Sequence, residues 1–174
     1  YDIWEFNPES ANGKRLTKGR EAKIRYRYNR LDDEERFLNR SGKWLLSTFN
    51  EGNKNAGFYE FNGKNNKGKQ LIDEPYSFGR PYKAQNGKNL MFTKQSFIDF
   101  PDIHSTAMGF KNITKISTAN PQQGDYNWGT AELIKWTSLD GIPLEGMLIK
   151  PENFDPNKKY PMIVNFYEKS ADGL

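Results

Sequence analysis

Two internal matches constrain the fold of this chain more than any other feature, because a recurring segment is a recurring structural unit. Gly42-Lys43-Trp44-Leu45-Leu46-Ser47-Thr48 answers to Gly87-Lys88-Asn89-Leu90-Met91-Phe92-Thr93 at a spacing of 45 residues. Trp4-Glu5-Phe6-Asn7 answers to Tyr59-Glu60-Phe61-Asn62, and Gly13-Lys14-Arg15-Leu16 to Gly68-Lys69-Gln70-Leu71, both at a spacing of 55. Each unit reads as short antiparallel strands: a polar turn ending in Gly-Lys, an apolar strand, a loop rich in Asn and Gly, then an alternating strand. In that last strand Phe58, Glu60 and Asn62 oppose Tyr59 and Phe61, the period of a half-buried strand. Four-stranded units of roughly 40–50 residues are the pattern of β-propeller blades. Paired hairpins of a β-sandwich are the alternative.

On this reading residues 1 to about 20 finish one blade, 22 to 75 form a second and 76 to 118 a third. A closed propeller takes roughly four to eight blades, so the chain is expected to belong to a longer one. Aromatic residues make up 14% of the chain, which excludes a disordered segment. The 15 glycines and 9 prolines supply the turns.

The pattern changes near residue 120. Residues 119–130, with Ala119-Asn120-Pro121-Gln122-Gln123-Gly124, read as a linker. Three strand-like runs follow in 131–174. Ala131 to Thr137 ends at the turn Leu139-Asp140-Gly141, and Leu144 to Ile149 ends at Pro151. The apolar run Met162 to Tyr167 has the character of a strand buried on both faces of an open sheet. The expected fold class is mainly β: antiparallel propeller blades over 1–118, then the first strands of an α/β domain over 131–174.

Charge and composition exclude several functions. The net charge is +4, but Lys14, Arg15, Lys43, Lys69, Lys88, Lys111 and Lys158 are scattered among acidic residues. Nucleic-acid binding needs basic residues gathered on one face, so no nucleic-acid partner is expected. The absence of cysteine excludes disulfides, thiol nucleophiles and Cys-type zinc sites. No apolar run is long enough to span a membrane. Asp140 and Glu145 have no metal-ligand spacing around them, and no cofactor is expected. Asp32-Asp33-Glu34-Glu35-Arg36 reads as a solvated bend, and Trp128 and Trp136 as packing residues at the domain junction.

The stretch from Trp128 to Leu174 carries a family resemblance. Glu132-Leu133-Ile134-Lys135-Trp136-Thr137-Ser138-Leu139-Asp140-Gly141 is similar to the strand that opens the hydrolase domain of prolyl oligopeptidase-type serine peptidases. Leu144-Glu145-Gly146-Met147-Leu148-Ile149-Lys150-Pro151 resembles their second strand. Phe154-Asp155-Pro156 with Lys158-Lys159-Tyr160-Pro161-Met162-Ile163-Val164 resembles the lead into their third. Residues 1–118 fit the family's propeller more loosely, by strand pattern and by Asp2-Ile3-Trp4.

The resemblance implies a propeller joined to an α/β-hydrolase domain that cleaves short peptides. It implies a dipeptidyl peptidase IV-like or acylaminoacyl peptidase-like enzyme. Such enzymes use a Ser on a Gly-x-Ser-x-Gly elbow, followed by Asp and His. No such elbow occurs here, so the triad is expected downstream of Leu174 and the 174 residues alone are expected to be inactive. The one histidine, His104, stands beside Asp102 and Ser105. Neighbours on an extended chain point to opposite faces, so these three are not read as a triad but His104 as a loop residue between strands. In the dipeptidyl peptidase IV branch a Tyr ending the third hydrolase strand lends its hydroxyl to the oxyanion hole, and its position matches Tyr167. Glu168-Lys169-Ser170-Ala171-Asp172-Gly173 departs from the Gly-rich sequence of many relatives at that point. The implied partners are a peptide substrate, the rest of the parent chain and a second copy of the parent. Family habit favours export, with the cytoplasm left open. A non-catalytic propeller-type binding or scaffold module is the alternative function.

Overall fold

The computed structural model describes residues 1–174 and is mainly β, with antiparallel pairing throughout. A hairpin of β1 (Trp4–Phe6) and β2 (Gly13–Arg15) leads into one helical turn, α1 (Gly19–Ala22). Next, β3 (Ile24–Tyr28), β4 (Lys43–Asn50), β5 (Ala56–Asn62) and β6 (Lys67–Glu74) form a four-stranded sheet in chain order. A third sheet contains β7 (Ser77–Phe78), β8 (Tyr82–Lys83), β9 (Asn89–Gln95), β10 (Asp102–Ala107) and β11 (Thr114–Lys115), with β7 and β8 both paired to β9. After a 3₁₀ turn at Pro121–Asp125, β12 (Thr130–Thr137) and β13 (Pro143–Lys150) form a separate hairpin.

The β1–β2 hairpin, the four-stranded sheet and the third sheet stack face to face. Alternation along β4 and β5 decides this, because successive side chains of a strand leave on opposite faces. Trp44, Leu46 and Phe61 pack with Leu16 toward the β1–β2 hairpin. Leu45 and Phe58 pack with Ile72, Leu90, Phe92 and Phe110 toward the third sheet. The middle sheet is therefore apolar on both faces. Its centre is aromatic: the Phe58 ring lies 5.5 Å from Phe92 and 5.0 Å from Phe110. Phe110 reaches this core from a turn in the left-handed region, at φ 53. A bulky residue occupies that region only when its surroundings impose it.

The 55-residue repeat is a repeat of pairing register. Trp4, Glu5 and Phe6 face Arg15, Lys14 and Gly13; Tyr59, Glu60 and Phe61 face Gln70, Lys69 and Gly68. The hairpin β1–β2 is thus the counterpart of β5–β6. The 45-residue match is one residue out of phase with the faces. Leu46 pairs with Tyr59 and Phe92 with His104, so Leu46 and Phe92 are the equivalent positions. Leu46 and Phe92 each pack toward the preceding sheet. Aligned sequence letters put Met91 opposite Leu46, but Met91 is on the outer face and exposed. A one-residue slip exchanges the two faces of a strand, and the turn before β9 absorbs it.

A further repeat spans 100 residues and is made of hydrogen bonds. Ser117 Oγ and the Ala119 N–H donate to Asp102 Oδ1, at 2.6 and 2.9 Å. Thr17 Oγ1 and the Gly19 N–H donate to Asp2 Oδ1 in the same way. The Ile103 N–H donates to Ser117 Oγ at 2.8 Å, as the Ile3 N–H does to Thr17 Oγ1 at 3.0 Å. Lys115 stands 2.6 Å from Asp102 Oδ2, and Arg15 stands 3.6 Å from Asp2 Oδ2. Each clamp ties the start of a strand to the segment after the next one. In the middle sheet Gly57 takes the place of the aspartate; a Cβ there would meet the Ile72 carbonyl oxygen at 1.8 Å.

The expected third strand over 131–174 does not form. Met162–Tyr167 makes no backbone ladder, and Ile163 and Phe166 are 96% and 86% exposed. A strand of the buried, parallel kind needs a neighbour on its hydrogen-bonding edge. β12 and β13 pair only with each other, and no other strand lies beside the run. No helix is long and apolar enough to cross a membrane.

Candidate functional site

Tyr167 lies at the end of this unpaired segment and is 86% exposed. Its approach is ordered by the Phe-Asp-Pro and Tyr-Pro residues packing on themselves. The Tyr160 hydroxyl accepts a hydrogen bond from the Asp155 N–H at 2.9 Å, and the Phe154 and Tyr160 rings stack at 5.1 Å. Lys150 lies over the Phe154 ring at 5.0 Å, joining this knot to the end of β13. The knot holds the start of the segment and leaves the Tyr167 phenol directed to solvent, as an available donor.

Asp102, His104 and Ser105 are not brought together as a catalytic group. His104 is a strand residue of β10 rather than a loop residue, a correction to the sequence expectation. Its ring stacks on Phe92 at 5.9 Å, and Nδ1 lies 3.1 Å from the Asp102 carbonyl oxygen. The Asp102 side chain is committed to its clamp. The Lys115 ammonium, then Ser117 and the Ala119 N–H, hold its carboxyl down to about 2. Asp2 is held low too. Burial alone would raise it, but hydrogen bonds from Thr17, Gly19 and Arg20 and the charge of Arg15 outweigh that.

Asp32–Arg36 is an exposed turn, with Asp33 3.0 Å from Arg80. Trp128 packs edge-on against Phe97 in the loop between β9 and β10. Trp136 instead lies on Gly146 of its own hairpin. No three His, Cys, Asp or Glu side chains are grouped to hold a metal.

The most concentrated arrangement of charge lies where the middle sheet meets the C-terminal residues. Lys54, in the turn between β4 and β5, has its side chain only 2% exposed. It contacts Glu145 of β13 and sits 3.1 Å from Asp172 in the 3₁₀ turn Ser170–Gly173. Burial would lower its pKa, but the two carboxylates outweigh burial and raise it. Arg25 of β3 donates to the other oxygen of Asp172 at 2.8 Å, and its guanidinium lies over the Phe49 ring at 4.3 Å. Arg25, Phe49, Lys54 and Asp172 border a cleft of about 320 Å³ that is also lined by Arg27, Tyr76 and Ser77. Past Lys54 and Tyr76 it continues as a more apolar cavity of about 370 Å³ lined by Phe97, Ile98 and Ala131. Sequence reasoning missed this cluster. Arg25 and Asp172 are 147 residues apart, and no local spacing announces them.

No family model matches the chain, and no curated protein matches it in sequence. Solved structures do match. A "putative dipeptidyl aminopeptidase IV" from Bacteroides ovatus superposes with a TM-score of 0.58 at 21% identity, over 92% of this chain and 23% of its own. The isopeptidase AtxE2 in its apo form gives 0.55 at 11% identity, over 90% of this chain and 30% of its own. A variant of the same isopeptidase with astexin-3 bound gives 0.51 at 10% identity with the same coverage. The chain therefore spans between about a quarter and a third of the length of these structures, and shares its fold with peptidase structures.

Proposed function

We propose that these residues are the propeller-to-hydrolase stretch of a serine-type exo- or oligopeptidase that cleaves short peptides, dipeptidyl peptidase-like in kind. Residues 1–118 supply propeller blades, 119–130 join the domains and 131–174 open the α/β-hydrolase domain. The observation that carries the reading is the superposition of 92% of the chain on the Bacteroides ovatus structure. The repeated hairpin register supports the blades, because it recurs from one stacked sheet to the next.

In this reading the nucleophile, its base and the orienting carboxylate come from other parts of the protein. Tyr167 supplies a neutral donor for the oxyanion that forms when the serine attacks the carbonyl. Its strand is completed when neighbouring hydrolase strands pair with Met162–Tyr167. One such donor is worth about 3 kcal/mol in the transition state.

The test is turnover of dipeptidyl p-nitroanilides ending in proline. The 174-residue chain should hydrolyse none. The complete protein should hydrolyse them, and Tyr167→Phe should lower its kcat by about 100-fold with little change in KM. An inactive complete protein, or activity of the isolated chain that survives loss of His104, would overturn the reading.

A further inference from the structure

The cleft beside β3 is built around a carboxylate. Asp172 presents one oxygen to each cation: Oδ2 to Arg25 at 2.8 Å and Oδ1 to Lys54 at 3.1 Å. Both cations are held in place by other residues. The Phe49 face supports the Arg25 guanidinium, and Glu145 also pairs with the Lys54 ammonium. An ammonium as buried as that of Lys54 is tolerated only when paired. The residue before the carboxylate, Ala171, is itself buried to 4% exposure.

The Arg25 Nε makes no hydrogen bond but is ion-paired with the Glu51 carboxylate 3.5 Å away, so the anion capacity left in the cleft lies at Arg27. Arg27 lines the same cleft, over the Tyr1 ring at 5.4 Å, with no carboxylate partner. Ser47, Thr48, Tyr76 and Ser77 also line it. Guanidinium groups with a fixed plane are suited to planar carboxylates.

We propose that this cleft is a recognition site for an acidic side chain of a peptide, preceded by a small residue, and that Ala171-Asp172 occupies it in cis. The identification of the ligand as a peptide rests on the peptidase reading above; the carboxylate chemistry does not. The site would give the protein a preference for peptides carrying Asp or Glu, with the apolar cavity past Lys54 taking the neighbouring residues.

The test is a binding titration on the 174-residue chain, followed by amide chemical shifts. The probes are acetyl-Ala-Asp-Gly-amide and its Asn analogue. Asp172→Ala should bind the Asp peptide saturably and at least tenfold more tightly than the Asn peptide. The unsubstituted 174-residue chain should bind it at least tenfold more weakly than Asp172→Ala, because its own carboxylate competes. Adding Arg25→Gln should abolish the preference, and Arg25→Lys should restore part of it. Equal binding of both peptides, or none by a folded Asp172→Ala chain, would overturn the proposal. If that variant does not fold, Asp172→Asn replaces it under the same criteria. Failure of both to fold would make Asp172 a structural tether and also overturn it. No turnover is measured, so binding in a protein without peptidase activity would leave the site standing while the peptidase reading fell.

Discussion

Asp2 and Asp102 stand a hundred residues apart and accept corresponding hydrogen bonds. Sequence alone marks them only faintly, as two Asp-Ile pairs, because the hydroxyl partners differ (Thr17 and Ser117) and so do the cations (Arg15 and Lys115). Chemistry is what repeats: a carboxylate, a hydroxyl, a backbone N–H and a positive side chain. This gives a pH prediction. The Asp102 carboxyl titrates at about 2 when folded, below its ordinary 3.8. A depressed carboxylate stabilises the fold above its unfolded pKa, and loses that contribution as pH falls through the folded value. The urea midpoint of the parent should therefore exceed that of Asp102→Asn near pH 6. The gap should narrow between about pH 4 and pH 2. A gap independent of pH would mean that the carboxylate charge is not what the clamp uses.

At the scale of the element, the middle sheet differs from its neighbours at Gly57. Where the outer units place an aspartate, β5 approaches β6 so closely that no side chain fits. The same strands carry a register shift between Phe58 and Tyr59, and such a bulge bends and twists a pair. Apolar Phe58 and Ile72 then serve the core in place of the polar clamp. Gly57→Ala should destabilise the chain by about 1–3 kcal/mol, as overpacking against a rigid backbone does. Gly124→Ala, with nothing within 4 Å of the added carbon, should stay within about 0.5 kcal/mol. Chemical denaturation of the two variants side by side checks this; equal midpoints would show that β5 can move away from β6.

Over the whole molecule, order is concentrated where sheets cover both faces. The fully buried side chains Leu46, Phe58, Phe61, Leu90 and Phe92 all belong to the stack of sheets within residues 1–118. Met162–Tyr167 has neither backbone partners nor cover. Native-state hydrogen exchange should rank the amides of β4 and β5 at the global stability. Residues 162–167 should exchange at nearly the rate of an unstructured peptide. Strong protection of 162–167 in a monomer would place a partner strand where none is found.

Strand existence, the turns and the repeating units were legible in the residues themselves. Alternation of apolar and polar side chains, Gly-Lys turns and the Asp-Gly hairpin act over a few positions, and local geometry is enough to read them. The β12–β13 hairpin is of this kind, with Gly141 at φ 79 in its turn. Three matters were decided only by tertiary structure. Which face of β9 turns inward depends on the sheet stacked against it, so Phe92 rather than Met91 answers to Leu46. Whether Met162–Tyr167 is a strand depends on an edge to pair with, which an apolar run cannot provide for itself. The meeting of Arg25, Lys54, Glu145 and Asp172 depends on the chain returning to the middle sheet after more than ninety residues. Charges that pair across such distances leave no spacing in the sequence, because proximity in space fixes their energy and the chain between them does not.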